Sequence, residues 1–344
     1  MSKRLLCLIA ILFPFFACAQ KSATTMERLS KVEINDDPAY SPKLARPAYA
    51  EAGPVVFVDQ AHGNSHFDKA FEKLISADGY RVVTSRDPLN YEMLSQARVL
   101  VIMNPAVFMS LAWHQNPQPL FNDVEAAAVR DWVAAGGSLL FATGPKPEHS
   151  SEMLLSRLGV TVSAETLSDH ELLPVPLAAH SATLHLVFSR EKQMVGAHTI
   201  IAGRTESERV DLISLTNAVP ILKAPDDALV LLHCSEKAVL TPRDWLLRKQ
   251  ELEAQAALAK SGATESQTLT MQSLTTPVPK VPVAVAFKLG KGRVIVVGNS
   301  SMLSSVTREF VLEGKPTSVK IGLGDGDNQK FTLNAMHWLS GLLE

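Results

Sequence analysis

The sequence predicts an α/β protein: a mostly parallel sheet with helices on both faces, plus a mixed β and helical insertion. Three observations predict it. Apolar runs at 55–58, 99–103 and 138–142 each lead into a polar or glycine-bearing turn, as buried parallel strands do. Helical periodicity fills the intervals between them. Two late apolar runs, 283–287 and 293–297, flank glycines suited to a hairpin turn.

Taken in order, the run at 55–58 is the first strand of the sheet, and it delivers Asp59, His62 and Asn64 to the carboxyl edge, where open α/β sheets bind their ligands. Phe67, Ala70, Phe71, Leu74 and Ile75 then fall on one helical face, and Asp78 and Gly79 end that helix. A strand at 81–85 and another at 99–103 complete a βαβ unit that stops at Asn104 and Pro105. After a loop over 108–121, Asn122 caps a helix that Gly136 and Gly137 terminate. The strand at 138–142 follows, ending in Thr143 and Gly144.

From about residue 155 to about 280 the pattern changes. Short alternating runs at 183–188 and 198–202 predict antiparallel strands, 228–234 a more apolar one, and 242–260 a helix with Pro242 in its first turn. Residues 261–276 read as a polar loop. The late hairpin is expected to take positive φ angles at its glycines, and a Gly/Asp-rich loop at 322–327 precedes a closing helix that packs back on the sheet. Residues 54–344 are thus expected to form one α/β domain with an insertion at about 155–280.

The N-terminus has the pattern of an export signal at residues 1–19. Lys3 and Arg4 precede an apolar stretch over 5–17, and Ala17-Cys18-Ala19 fits a small-x-small cleavage site. Cleavage after Ala19 is the favoured outcome. Lipidation at Cys18 is the alternative, since Phe15-Phe16-Ala17-Cys18 loosely resembles a lipoprotein box. Residues 20–53, polar with scattered prolines, are expected to be a linker. Of three cysteines, only Cys234 lies beyond that segment, so no internal disulfide is expected in the processed chain.

Composition narrows the function. The chain is 46% hydrophobic and 20% charged over 344 residues, enough for a substantial core. Lysine plus arginine number 33 against 35 acidic residues, with no basic block, which disfavours a nucleic-acid partner and limits membrane association to a lipid anchor. No cofactor motif and no metal-ligand spacing is present, so neither is expected.

Three pieces of the sequence carry a resemblance: the strand and turn over 57–64, the helix-to-strand passage over 132–141, and residues 290–301 with the late 334–339. Together they resemble the class I glutamine amidotransferase-like superfamily, and more narrowly its exported branch, similar to the auxiliary domain of gliding-motility-type ABC transporter proteins. The resemblance implies a flavodoxin-like sheet. It also implies a nucleophilic cysteine on the elbow after the strand ending at Thr143-Gly144, with a late histidine and glutamate. This sequence has no cysteine there, and Asn299-Ser300-Ser301 stands where the histidine is sought. The resemblance therefore argues against glutaminase activity.

The candidate ligand-binding residues are Asp59, His62 and Asn64 in the first turn, with Asn104, Thr143, Gly144, Asn299, Ser300 and Ser301 after the other strands. A turn that sets a carboxylate beside an imidazole suits acid/base work. Its bland counterpart is Asp59 capping the following helix, with His62 and His66 solvated. Ser300 or Ser301 as a nucleophile lacks the Gly-x-Ser-x-Gly elbow. His233 and Cys234 are neighbours on a strand and face opposite ways, so Cys234 is expected to be a buried structural residue. Asp325 and Asp327 lack the remaining ligands of a calcium loop and are expected in a solvent loop.

The expected function is an exported, non-catalytic binding or assembly module of the cell envelope, acting on a small polar ligand or an envelope protein. The alternative is a hydrolase or sugar-processing enzyme using an Asp59/His62 rim. An enzyme is expected to hold Asp59 and His62 within hydrogen-bond reach in a water-excluding cleft. A module is expected to show a shallow rim and an exposed apolar patch.

Overall fold

The computed structural model describes residues 33–37, 39–42, 44, 46–62, 68–103, 120–144, 151–169, 171–172, 185–242, 275–312 and 315–344. In chain order the first part is β1 (Glu33–Asp36), β2 (Val55–Asp59), α1 (Asp68–Ala77), β3 (Arg81–Ser85), α2 (Tyr91–Leu94), β4 (Val99–Met103), α3 (Asp123–Ala135) and β5 (Ser138–Ala142). There follow α4 (Glu152–Arg157), β6 (Thr161–Val162), β7 (Thr166–Ser168), β8 (His185–Ser189), α5 (Thr199–Ala202), β9 (Leu212–Thr216), β10 (Ile221–Lys223), β11 (Leu229–His233), β12 (Val239–Thr241) and β13 (Thr276–Pro277). The last part is β14 (Pro282–Leu289), β15 (Gly292–Val297), β16 (Ser305–Leu312), β17 (Lys315–Gly322) and α6 (Asn328–Ser340).

The central sheet has seven strands in the order β11-β14-β15-β5-β4-β2-β3. β15, β5, β4, β2 and β3 run parallel, β14 runs against β15, and β11 against β14. This is the mostly parallel, flavodoxin-like α/β arrangement that the sequence predicts. β4 and β5 are buried at every position, which explains why Ser138 is the single polar residue in the two strands. Alternate residues feed two cores. Val56, Val58, Val99, Val101 and Leu140 pack with Phe71 and Ile75 of α1 and with Phe331, Met336 and Trp338 of α6. Phe57, Leu100, Ile102, Leu139 and Phe141 pack with Val129, Trp132 and Val133 of α3 and Leu154 and Leu155 of α4.

Several elements differ from the sequence reading. Residues 198–202 form the short helix α5, not a strand. His198 Nδ1 accepts from the Ile200 N–H at 3.1 Å as its cap, and Gly203 ends it at φ 68°. Five alternating residues are too few to separate the two periods. In the hairpin β14–β15 only Gly290 takes a positive φ, 60°. Gly292 is needed for close approach, since a Cβ there would lie 2.0 Å from Val133 O and 2.2 Å from Gly137 O. Within the stretch expected as a linker, β1 pairs antiparallel with β16, Tyr40 is buried, and Tyr49 packs edge-on against Tyr80 at 4.9 Å. β11, inside the stretch 155–280, joins the central sheet. β16 and β17 form a long hairpin that the sequence reading did not contain.

The expected signal peptide at 1–19, Cys18, residues 243–260 of the expected helix over 242–260 and most of the loop over 261–276 lie outside the described residues. Among the described residues no helix is long and apolar enough to cross a membrane.

Candidate functional site

Asp59 is the last residue of β2 and is 2% exposed. Its Oδ1 accepts from the Ala61 N–H at 3.0 Å, a side-chain turn that folds the chain back on itself. That turn brings His62 Nδ1 to 3.1 Å from Asp59 Oδ1 and 3.0 Å from Oδ2. Asp59 is therefore buried, and its carboxylate holds the imidazole.

The other ring nitrogen meets a residue that the sequence reading did not connect with this turn. His62 Nε2 lies 3.1 Å from Oε1 of Glu125, in the first turn of α3. Glu125 is placed by a capping box: its N–H donates to Asn122 Oδ1 at 2.9 Å, and its Oε2 accepts from the Asn122 N–H at 3.1 Å. Oε1 also accepts from the Leu89 N–H at 3.1 Å, which ties in the segment after β3. Phe121 covers the imidazole, with centroids 4.2 Å apart and planes 22° from parallel. His62 and Glu125 are each only 6% exposed.

A neutral imidazole has one N–H and one lone pair, whereas two ionised carboxylates only accept. The arrangement is satisfied on both sides only when His62 is an imidazolium donating to both. Burial works against that charge. The hydrogen bond and charge of Asp59, with the charge and hydrogen bond of Glu125, outweigh burial and raise the His62 pKa above its ordinary 6.5. Asp59 and His62 thus lie within the reach expected of an acid/base pair, and both are buried. Glu125, however, occupies the remaining nitrogen, the one a substrate would otherwise have to reach. The cluster is a buried ionic clasp joining the turn after β2, the segment after β3 and the start of α3.

The other candidates gather beside β5 and β15. Thr143 is fully buried; its N–H donates to Val297 O at 2.9 Å and its carbonyl accepts from the Ser300 N–H at 3.0 Å. Gly144 is buried beside it. Asn299 caps the 3-10 turn Ser300–Leu303, its Oδ1 accepting from the Ser301 N–H at 2.6 Å and its Nδ2 donating to Asn217 O at 3.1 Å. Ser300 and Ser301 are half-buried. The hydroxyls of Thr143 and Ser301 have no hydrogen-bond partner among the described residues. Asn64, His66 and Asn104 lie outside the described residues.

Cys234 is fully buried at the end of β11, and burial pushes its thiol up, which makes it unreactive. His233 Nδ1–H donates to the Cys234 carbonyl at 2.8 Å, so the two side chains do not pair. The loop at 322–327 is not a free solvent loop: Asp327 Oδ2 accepts from the Asp211 and Leu212 N–H groups at 2.8 and 3.1 Å. Among the described residues no group of three or more His, Cys, Asp or Glu side chains could hold a metal ion. A second buried pair, His337 Nε2 and Asp78 Oδ2 at 2.7 Å, joins α6 to the turn between α1 and β3.

No protein-family model matches the sequence, and no curated protein matches it. Solved structures similar to this one include the N-terminal domain of mmIFT52, at 11% identity and a TM-score of 0.49, covering 83% of this chain and 97% of that one. Another is a ThuA-like protein from Bacteroides uniformis, at 12% identity and a TM-score of 0.41, covering 88% and 95%. A third is a GMP synthase component from Thermoplasma acidophilum, at 8% identity and a TM-score of 0.37, covering 83% and 94%.

Proposed function

We propose that this chain is an exported, non-catalytic binding or assembly module of the cell envelope, built on an amidotransferase-like scaffold. The observation that carries the reading is the clasp: both nitrogens of His62 face buried carboxylates, at 3.0 and 3.1 Å. A general base needs a free lone pair within reach of the substrate proton. The residues after β5 add support, since Thr143-Gly144 stands where the superfamily's cysteine is expected and the one cysteine outside the N-terminal segment is buried just after β11. The hydrophobic N-terminus with its small-residue cleavage pattern supports export, and Cys18 offers a lipid anchor as the alternative to cleavage. The bound partner is a small polar ligand at the carboxyl edge or another protein of the envelope.

The test is turnover. Purified protein is incubated with L-glutamine, a generic ester and aryl glycosides, beside Asp59→Asn. The reading expects no release of ammonia, acid or phenol above buffer in either protein. Turnover that the substitution reduces overturns it in favour of a hydrolase using Asp59 and His62.

A further inference from the structure

The central sheet has two edges, and the chain treats them differently. At β11 the edge is partly closed: the Gly196 N–H donates to Leu231 O at 2.8 Å, the His233 N–H donates to Met194 O at 3.1 Å, and Val195 bridges Leu232. β3 is the other edge. Among the described residues no backbone pairs with its outer side.

The ladder with β2 decides which groups face outward. The Arg81 N–H donates to Pro54 O at 3.1 Å, and Ser85 O accepts from the Gln60 N–H at 2.8 Å. In a parallel pair one residue turns both its N–H and its C=O to the neighbouring strand, and the next turns both away. Arg81, Val83 and Ser85 therefore serve β2, and the N–H and C=O groups of Val82 and Thr84 point away from the sheet. Such an edge is a template for another strand, and proteins usually blunt it with lysine, proline, a bulge or a covering loop. β3 reads Arg-Val-Val-Thr-Ser, with neither lysine nor proline, and its register with β2 runs unbroken from Val55 opposite Arg81 to Asp59 opposite Ser85. Val83 is 41% exposed on it, and Thr84 is exposed beside it.

The edge is complementary to itself. Two copies of β3 laid antiparallel about a two-fold axis at Val83 set Val82 opposite the partner's Thr84, and Thr84 opposite the partner's Val82. Those are the residues with free backbone groups, so each pair exchanges its N–H···O=C bonds. Val83 meets the partner's Val83 as the closer, non-hydrogen-bonded pair, a contact between β-branched side chains. Arg81 stands opposite the partner's Ser85 and diagonal to the partner's Asp87, within reach of a long side chain. Arg81 Nε donates to Gly53 O and the Asp87 N–H donates to Ser85 Oγ, but neither charge has an ionic partner among the described residues. This register gives each of them one. A register that set Arg81 against the partner's Arg81 would place like charges together.

We propose that β3 is a self-association edge, through which two copies of this chain pair antiparallel about Val83 and join their central sheets into one. The pairing uses up the β3 edge of each copy, so assembly stops at two. The contact is small, so the dimer dissociates in about the micromolar range. The assignment rests on the sheet edge and not on how His62 is read.

Sedimentation velocity on the full chain from about 1 to about 200 μM tests it, on the wild type, Val83→Lys, Arg81→Asp, and Arg81→Asp combined with Asp87→Arg. All these positions are exposed, so the variants should fold, which their thermal midpoints check. The wild type should pass from monomer to dimer over that range. Val83→Lys puts like charges together on the axis and Arg81→Asp sets acid beside acid, and each should weaken the dimer at least about ten-fold. Adding Asp87→Arg to Arg81→Asp reverses the charge pair and should restore the dimer. A wild type that stays monomeric throughout, that grows beyond two copies, or whose dimer ignores Val83→Lys overturns the proposal. So does a double variant that associates no more tightly than Arg81→Asp.

Discussion

His62→Ala is the most informative single change, because it removes the cation from between two buried carboxylates. Asp59, His62 and Glu125 have side chains 2%, 6% and 8% exposed, so little solvent screens what remains. Removing one partner of such a buried pair costs about 3–5 kcal/mol, since the charge left behind is uncompensated. A domain of this kind is stable by only about 5–15 kcal/mol, so the variant should unfold at much lower urea concentration. The effect also has a pH signature. The folded-state pKa of His62 is raised above 6.5, so its contribution is fully present below about pH 6.5 and is lost as pH rises through the folded value. Urea midpoints measured from pH 5 to 9 should show that decline in the wild type and lack this component in His62→Ala. Glu125→Gln retains the capping acceptor and should lose less. A loss under about 1 kcal/mol in His62→Ala, the scale of a solvated surface pair, would refute the clasp.

Other contacts give expectations of their own. Gly292→Ala drives a methyl into the carbonyls of Val133 and Gly137, both backbone, so it should cost more than the ~1–3 kcal/mol of ordinary overpacking and show as poor soluble yield or a depressed midpoint. Asp78→Ala strands the Ala48 N–H and His337 Nε2, which its carboxylate now accepts from at 2.7 Å each; urea unfolding should register a loss of about 1–3 kcal/mol, the cost of leaving a buried donor unsatisfied. Cys234 should ignore a thiol reagent in the native protein and react at once in denaturant, because burial leaves it protonated and covered.

The sheet was readable because parallel strands buried on both faces are spelled as continuous apolar runs, as in Val99–Met103 and residues 139–142. Helix ends were readable where a cap had chemistry, as at Asn122 and Gly136. The clasp was half readable. Asp59 and His62 are neighbours on one turn, so a local reading found them. Glu125 lies 63 residues from His62, and only its Asn-x-x-Glu spacing marks it, as a capping residue rather than as a partner. The pairing of Asp78 with His337 spans 259 residues and leaves no local trace. β1 was missed because a strand that joins through its backbone needs no apolar signature, and α5 because five residues fit either period. Gly290 and Gly292 look alike in sequence, and both lie where a Cβ would meet backbone, yet only Gly290 also takes a positive φ.

The central claim, that His62 is held as an imidazolium between two carboxylates and is not a catalytic base, is tested most directly by histidine side-chain NMR on the full chain at pH 6.5. The clasp predicts that both His62 nitrogens carry protons in most molecules and that the ring titrates above its ordinary 6.5. A single protonated nitrogen, with titration at or below that ordinary value, would contradict it and make His62 a working base again.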